Sequence, residues 1–486
     1  MSRRPFARVL ILMALQVMLP AAAGHAADGP ATGTRCMVAT AEPHATMAAL
    51  EVLRDGGNAF DAAVTAALVL GVTEPYSSGL GGGGFVVGFR QQDGHAFALD
   101  CRETAPAAAA RDMFLGPDGH ADPALSRTGA LSVAVPGLAR GLADHGADAF
   151  YTGTVAHRLA AAVQAGGGLL TVADLADYRA VWREPVRGAY RGLDVVSMPP
   201  PSSGGVHLVQ MLNILEPFDL AAAGYGSADA WHPVLEAMKL AFADRSRFLG
   251  DPDFVDVPAD WLTGRAHADS QRALILPDAV IDPGRLVGAA APAESQHTTH
   301  FSIVDPEGNA VAATLTINLG FGSGMIAPGT GVILNDEMDD FAAEPGAPNA
   351  FGLVQGERNA VGAGRRPLSS MTPTVVVRDG AVYMVTGSPG GSRIITSTLQ
   401  TVLHVVDFGM DARQAAAAPR VHHQWSPAHG WYEHYGMAPE VRRDLARRGH
   451  DLRPRGAMGN VQVIVRDGDG WTGASDPRGV GLAAGF

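Results

Sequence analysis

Lysine is almost absent from this chain: Lys239 is the only one among 486 residues, and the formal net charge is −13. No basic stripe is available to meet a phosphate backbone, which excludes a nucleic-acid binder. The acidic balance serves solubility. Cysteine is nearly as scarce. Cys36 and Cys101 are the only two and no Cys-x-x-Cys occurs, so a thiol-based active site has no support. The two thiols either pair in an oxidising compartment or stay free and buried. Beyond residue 27 no apolar run is long enough for a transmembrane helix, because Gly, Pro and charges interrupt each one. A phosphate loop is excluded as well: Gly81 to Gly84 lack the lysine that such a loop needs, and tight backbone packing is expected there instead. His422-His423 come without a His-Glu-x-x-His pattern, so a structural role is expected and no metal.

What remains is a soluble globular composition, 47% hydrophobic and 17% charged, in a chain long enough for a large core or several domains. Residues 1–27 have the pattern of an export signal. Arg3, Arg4 and Arg8 precede the apolar run Val9–Leu19, and the small residues Ala21–Ala27 offer a cleavage site. A retained anchor is the alternative. The expected destination is the periplasm or the exterior, without stable membrane insertion.

Periodicity and punctuation predict helices over Pro43–Arg54, Ala59–Leu70, Val155–Ala165, Gly204–Leu215, His232–Phe248 and Ser397–Val406. Pro233 is expected in the first turn of its helix. The second helix carries so little charge that burial between layers is expected. Strands are predicted at Phe85–Phe89, Ala96–Leu99, Thr374–Val377, Ala381–Thr386 and Val461–Val465. Arg378-Asp379-Gly380 marks a hairpin turn. Helices dominate the first half and strands the second, which suits an α+β layered fold.

The stretch from Thr298 to Asn318 carries the chemistry. It predicts a strand over Thr299–Val304, a turn at Asp305–Asn309 and a second strand over Ala310–Ile317. A threonine hydroxyl needs an adjoining base to act as a nucleophile. A free α-amine on the same residue can be that base, since its pKa lies near neutrality. Thr298 has no such amine unless the backbone is cut before it.

Around this hairpin lie further motifs: G-G-N-A-F-D-A-A-V from Gly56, G-L-G-G-G-G-F from Gly79, R-E-T-A-P from Arg102 and M-P-P-P-S-S-G-G from Met198. N-D-E-M-D-D-F from Asn335, R-P-L-S-S-M-T-P-T from Arg366 and G-S-P-G-G-S-R from Gly387 follow. Together, and in this order, they resemble the γ-glutamyltranspeptidase (glutathione hydrolase) family of the N-terminal nucleophile hydrolases. The resemblance implies a four-layer αββα sandwich whose precursor cuts itself between His297 and Thr298. The pieces, 28–297 and 298–486, would stay together as large and small subunits.

The resemblance also implies roles. Thr298 is the nucleophile, Thr316 hydrogen-bonds it, and Gly390 and Gly391 form the oxyanion hole. Arg102 takes the donor's α-carboxylate with help from Ser369 and Ser370, while Asp340, Glu337 and Asn318 take its α-ammonium. The implied substrates are glutathione and related γ-glutamyl compounds, with water, amino acids or peptides as acceptors. The chemistry requires no metal or organic cofactor. Two departures stand out. S-V-A-V-P-G-L-A-R-G-L passes almost directly into H-G-A-D-A-F-Y-T-G near residues 137–151, where the family carries a long, mainly helical insertion. The lost part is either a peripheral excursion or core. In the lid-like segment Pro345–Gly356, Phe351 stands where a tyrosine is common. The alternatives to a γ-glutamyl enzyme are a glutaryl-type (cephalosporin) acylase of the same superfamily and an unprocessed, non-catalytic periplasmic relative.

Overall fold

The computed structural model describes residues 29–143, 147–282, 286, 297–347, 349–350 and 352–486. The export-signal pattern of residues 1–27 and the side chain of Phe351 lie outside the described residues. Two seven-stranded sheets, antiparallel throughout, stack face to face. The first runs, edge to edge, through Leu482–Gly485, Met37–Thr40, Thr299–Val304, Ala310–Thr316, Gly83–Arg90, His95–Asp100 and Val181–Arg183. The second runs through Ala31–Gly33, Gly470–Ser475, Gln462–Asp467, Ala381–Gly387, Thr374–Arg378, Leu193–Ser197 and Val186–Tyr190. Inward residues such as Phe85, Val87, Val196, Val375 and Ile464 fill the space between them. Each such side chain contributes on the order of 1.5–3 kcal/mol when fully buried.

Helices cover both outer faces. Pro43–Arg54 (α1) and Ala59–Thr73 (α2) pack on the first sheet against Phe301, Ile303 and Leu315. Asn58 caps α2 in a capping box with Asp61, as Asn-x-x-Asp before an apolar run permits. The small residues Ala59, Ala62, Ala63, Ala66 and Ala67 let α2 approach closely. It lies in an outer layer, not between layers as its low charge suggested: Leu68 and Val72 face solvent on its far side. On the second sheet, Gly204–Leu215 (α3) packs against Ala228–Phe248 (α4) and Arg393–Val406 (α5). These are the four layers of an αββα sandwich.

Boundaries moved where capping outweighed periodicity. Helix α4 starts at Ala228 because the Ser227 hydroxyl accepts from the Ala230 N–H. Pro233 therefore sits at its sixth position and not in its first turn. Helix α5 starts at Arg393, where the Arg393 and Ile394 N–H groups bond to Gly390 and Gly391. Strand Thr299–Val304 (β1) and strand Ala310–Thr316 (β2) form the expected hairpin. The Asp305 carboxylate accepts from the backbone of Glu307 and Asn309 and fixes the turn. Strand β2 ends before Ile317, just ahead of Asn318, whose φ of 73° bends the chain.

The described residues on either side of the shortened stretch are tied together. Tyr151 donates its hydroxyl to Pro136 O (3.0 Å), accepts from the Arg140 N–H (3.1 Å) and stacks on Tyr178. Tyr178 in turn donates to Arg102 O at 2.8 Å. Cys36 and Cys101 are buried and free.

Candidate active site

The hairpin register sets Thr299 opposite Leu315, which leaves Thr298 beside Thr316 at the open end. The Thr298 hydroxyl lies 2.9 Å from His297 O and 3.3 Å from the Thr316 hydroxyl. Thr316 Oγ1 is also 3.2 Å from His297 O and accepts from the Asn318 N–H at 2.8 Å. The carbonyl before Thr298 is thus held between two hydroxyls. Burial lowers the pKa of His297, which favours its neutral ring.

The glycine run explains itself at this point. A Cβ on Gly82 would stand 2.0 Å from Thr316 O, so nothing larger lets the neighbouring strand reach β2. This is the close packing expected of Gly81–Gly84.

One cavity of about 20 Å³ joins these groups. It is lined by Thr298, Thr316, Asn318, Arg102, Glu337, Asp340, Ser369, Ser370 and Gly391, with Arg245, Leu353, Leu368, Met371 and Ile394. Of the ten residues singled out from the sequence, only Gly390 is not part of its wall, and it is next in chain to Gly391. A larger cleft of about 310 Å³ beside Leu68 and Val72 has no charged side chain in its lining.

Asn335 organises the acidic segment. Its side chain accepts from the Ala134 and Glu337 N–H groups and donates to Gly81 O and Ala134 O. The 3-10 turn Glu337–Asp340 follows, with Glu337 and Asp340 buried. Both pair with Arg102, one on each terminal nitrogen, and Glu103 lies 3.8 Å from the same guanidinium. Burial works against the Arg102 cation, but these three carboxyls outweigh it and raise its pKa. Burial likewise raises Glu337 and Asp340, with Arg102 opposing. Glu103 is pushed well above the carboxylate range by burial and by the neighbouring Glu337 charge.

On the far side, Ser369 Oγ accepts from the Met371 N–H. The M-P-P-P-S-S-G-G segment shapes this wall. Pro201 O accepts from the Ser369 N–H, and Ser202 and Ser203 donate to Met371 O and Ser369 O. The Asn318 amide donates to Asp336 O, leaving its side-chain oxygen as an acceptor. Gly390 and Gly391 adopt φ of 132° and 59°, and among the described residues neither N–H donates to a backbone acceptor. They sit at the N-terminus of α5, the positive end of its dipole. Leu353 of the lid-like segment closes the cavity, and Gln355 donates to Asp340 O at 3.0 Å.

Sequence reasoning missed two participants. Glu103 sits inside the quoted R-E-T-A-P motif, and its neighbour Arg102 drew the attention. Arg245 lies in α4 among other charged residues and reads as a surface arginine, yet it is 2% exposed. Among the described residues one group could gather a metal: His232, Glu236 and His450, all buried and remote from this cavity's lining. There Lys239 already bonds Glu236 at 2.7 Å, and His232 uses one nitrogen on His450 and the other on Leu276 O. His422 spends its ring on Thr396 and Gln424.

Comparison with known proteins agrees in family and fold. The family model described as Gamma-glutamyltranspeptidase matches residues 45–145 and 140–486. The two blocks meet where the sequence is shortened. The Glutathione hydrolase proenzyme of Escherichia coli (strain K12) is 42% identical, over 94% of this chain and 93% of its own length. The alignment runs over 544 positions, more than this chain's 486 residues. The Acylase ACY 1 proenzyme of Pseudomonas sp. (strain V22) is 34% identical, over 92% of each chain. Among solved structures, the cephalosporin acylase from Bacillus halodurans shares the fold with a TM-score of 0.80, at 24% identity over 94% of this chain and 97% of that one. A family match over nearly the whole chain, with a relative 42% identical over almost its full length, shows that the chain belongs to the gamma-glutamyltranspeptidase family.

Proposed function

We propose that this chain is a precursor that cuts itself before Thr298 and then transfers γ-glutamyl groups from glutathione and related compounds to water, amino acids or peptides. In the first stage Thr298 Oγ1 turns from the His297 carbonyl oxygen onto its carbon. The C–N bond to Thr298 breaks, an ester forms, and water hydrolyses it. His297 becomes a carboxylate terminus, and Thr298 gains a free α-amine beside its hydroxyl. What supports this is the pair of hydroxyls on the His297 carbonyl, at 2.9 and 3.2 Å. The products are a large piece, 28–297, and a small piece, 298–486, held together by two shared sheets.

In each turnover the new amine takes the hydroxyl proton as Thr298 attacks the γ-carbonyl. Gly390 and Gly391 N–H groups stabilise the oxyanion. The departing amine takes the proton, and water or an acceptor amine then opens the ester.

The observation that carries the donor assignment is the cluster of opposite charges on the cavity wall. Arg102 is bound to Glu337 and Asp340, and the cavity has room for about one water. A zwitterionic α-amino acid end exchanges with that internal pair: its carboxylate takes Arg102, Ser369 and Ser370, and its ammonium takes Asp340, Glu337 and the Asn318 oxygen. Every buried charge then keeps a partner. A glutaryl donor brings no ammonium, so it would strip Arg102 from two buried carboxylates and leave them unpaired, at a cost of several kcal/mol, roughly 3–5. The chemistry uses no metal or organic cofactor, and the export-signal pattern fits action in the periplasm or outside the cell.

The test is a pair of chromogenic anilides. The purified chain hydrolyses the γ-glutamyl anilide and discriminates strongly against the glutaryl analogue. Equal rates on both would support the acylase reading instead, and a single uncut band without turnover would support the non-catalytic one.

A further inference from the structure

Two guanidinium groups line the cavity, and they are not equivalent. Arg102 is saturated by acids. Arg245 forms no ion pair among the described residues. Its Nε donates to Ser203 Oγ at 2.9 Å, and its Nη2 reaches Ser370 Oγ at 3.3 Å. Its Nη1 is buried and has no partner. A buried donor without an acceptor is costly, and in a native fold it calls for an explanation. Burial lowers the Arg245 pKa to about 10, Asp340 opposing and Arg102 assisting, so the cation persists at neutral pH. The group is held in place: Ser203, whose hydroxyl donates to Ser369 O, offers its oxygen to Nε.

We propose that Arg245 is a second ligand of the donor's α-carboxylate, giving Nη1 to it while Arg102 engages it from the opposite wall. The inference rests on the γ-glutamyl reading above and extends it. Ser370 links the two roles. Its oxygen accepts from Arg245, so its own proton is left for the ligand. The carboxylate thus meets two guanidiniums and a serine hydroxyl. Arg245 brings a full positive charge that no protein carboxylate has claimed, whereas Arg102 must first release Glu337 and Asp340. A planar fork suits this better than an ammonium would.

Competitive inhibition of γ-glutamyl anilide hydrolysis reads the contact. L-Glutamate and its α-carboxamide differ only at the group in question, so the ratio of their inhibition constants isolates it. In Arg245→Gln this ratio falls at least about tenfold from the wild-type value, the worth of one charge-assisted hydrogen bond. Arg245→Lys keeps the charge without the fork and gives an intermediate ratio. A merely structural role would weaken both inhibitors alike and leave the ratio unchanged, which overturns the inference. Should Arg245→Gln fail to mature, Arg102→Gln decides: with a second carboxylate ligand in place it still prefers glutamate several-fold, and a ratio of one means that Arg102 was the sole anchor. A wild-type enzyme without any preference for glutamate over its amide would overturn the γ-glutamyl reading as well. A wild-type preference that persists undiminished in Arg245→Gln overturns this inference alone.

Discussion

Asp340→Asn separates the ammonium site from everything else in the cavity. Asp340 is bound to Arg102, and Gln355 and Asn359 fix its backbone carbonyl at 3.0 and 2.7 Å. The substitution keeps shape and removes one negative charge. Two effects follow, of opposite sign. Arg102 loses one of its two bound acids and becomes easier to free for a carboxylate, which helps γ-glutamyl and glutaryl donors equally. The donor ammonium loses an anionic partner, which hurts only the γ-glutamyl donor. A charge-assisted contact is worth about 1.5–3 kcal/mol, so the ratio of kcat/KM for the two anilides should narrow by about 10- to 150-fold. The first effect cancels in that ratio. Self-cleavage should proceed, because among the described residues Asp340 makes no hydrogen bond to His297 or Thr298. A ratio equal to that of the wild type would refute the assignment of Asp340 to the ammonium, whatever happened to the absolute rates.

Other outcomes follow from the same geometry. Thr298→Ala should give one uncut band on denaturing electrophoresis and no turnover; normal maturation would contradict the mechanism. Gly82→Ala places a methyl 2.0 Å from Thr316 O, so the strands must part and maturation should be lost or slowed strongly, read from the same gel. Glu103 has a raised pKa in the fold, so its contribution to stability is complete below the usual carboxyl range and is lost as pH rises through the raised value. Glu103→Gln should therefore lose less stability than its parent as pH rises above the usual carboxyl range, measured by melting an uncut Thr298→Ala background. The opposite sign holds for His300, His404 and His422, buried neutral with pKa values lowered to about 3 by desolvation. Each should cost about 1.4 kcal/mol per pH unit as pH falls below about 6.5, and titration calorimetry should record net proton uptake on acid unfolding.

Much of this was legible in the chain. The β1–β2 hairpin was, because its turn chemistry is local: Asp-Pro and Gly-Asn between β-branched runs. Helix α1 was, because Pro43 suits its first turn and Gly56-Gly57 stop it. The order of the strands was not. Strand Gly83–Arg90 pairs with β2 across more than two hundred residues, and no local pattern states that. Pro233 misled because proline favours a first turn, while the Ser227 cap, five residues before the predicted start, decided the matter. The charge cluster was legible only residue by residue. Nothing in the sequence says that Arg102 spends its charge on Glu337 and Asp340, or that Arg245, on a helix rich in charged letters, faces inward. Burial of a charged residue is decided by the layer laid over it, and that layer is tertiary.

The shortened segment bears on the whole account. Tyr151 and Tyr178 bridge its edges directly to the backbone of Arg102, a residue of the cavity wall. The most direct test is intact-mass and amino-terminal analysis of the folded, purified protein alongside its glutathione hydrolysis. Two fragments, the smaller beginning at Thr298, with activity appearing in step with the cut, is the predicted result. A single continuous polypeptide that consumes glutathione would contradict it.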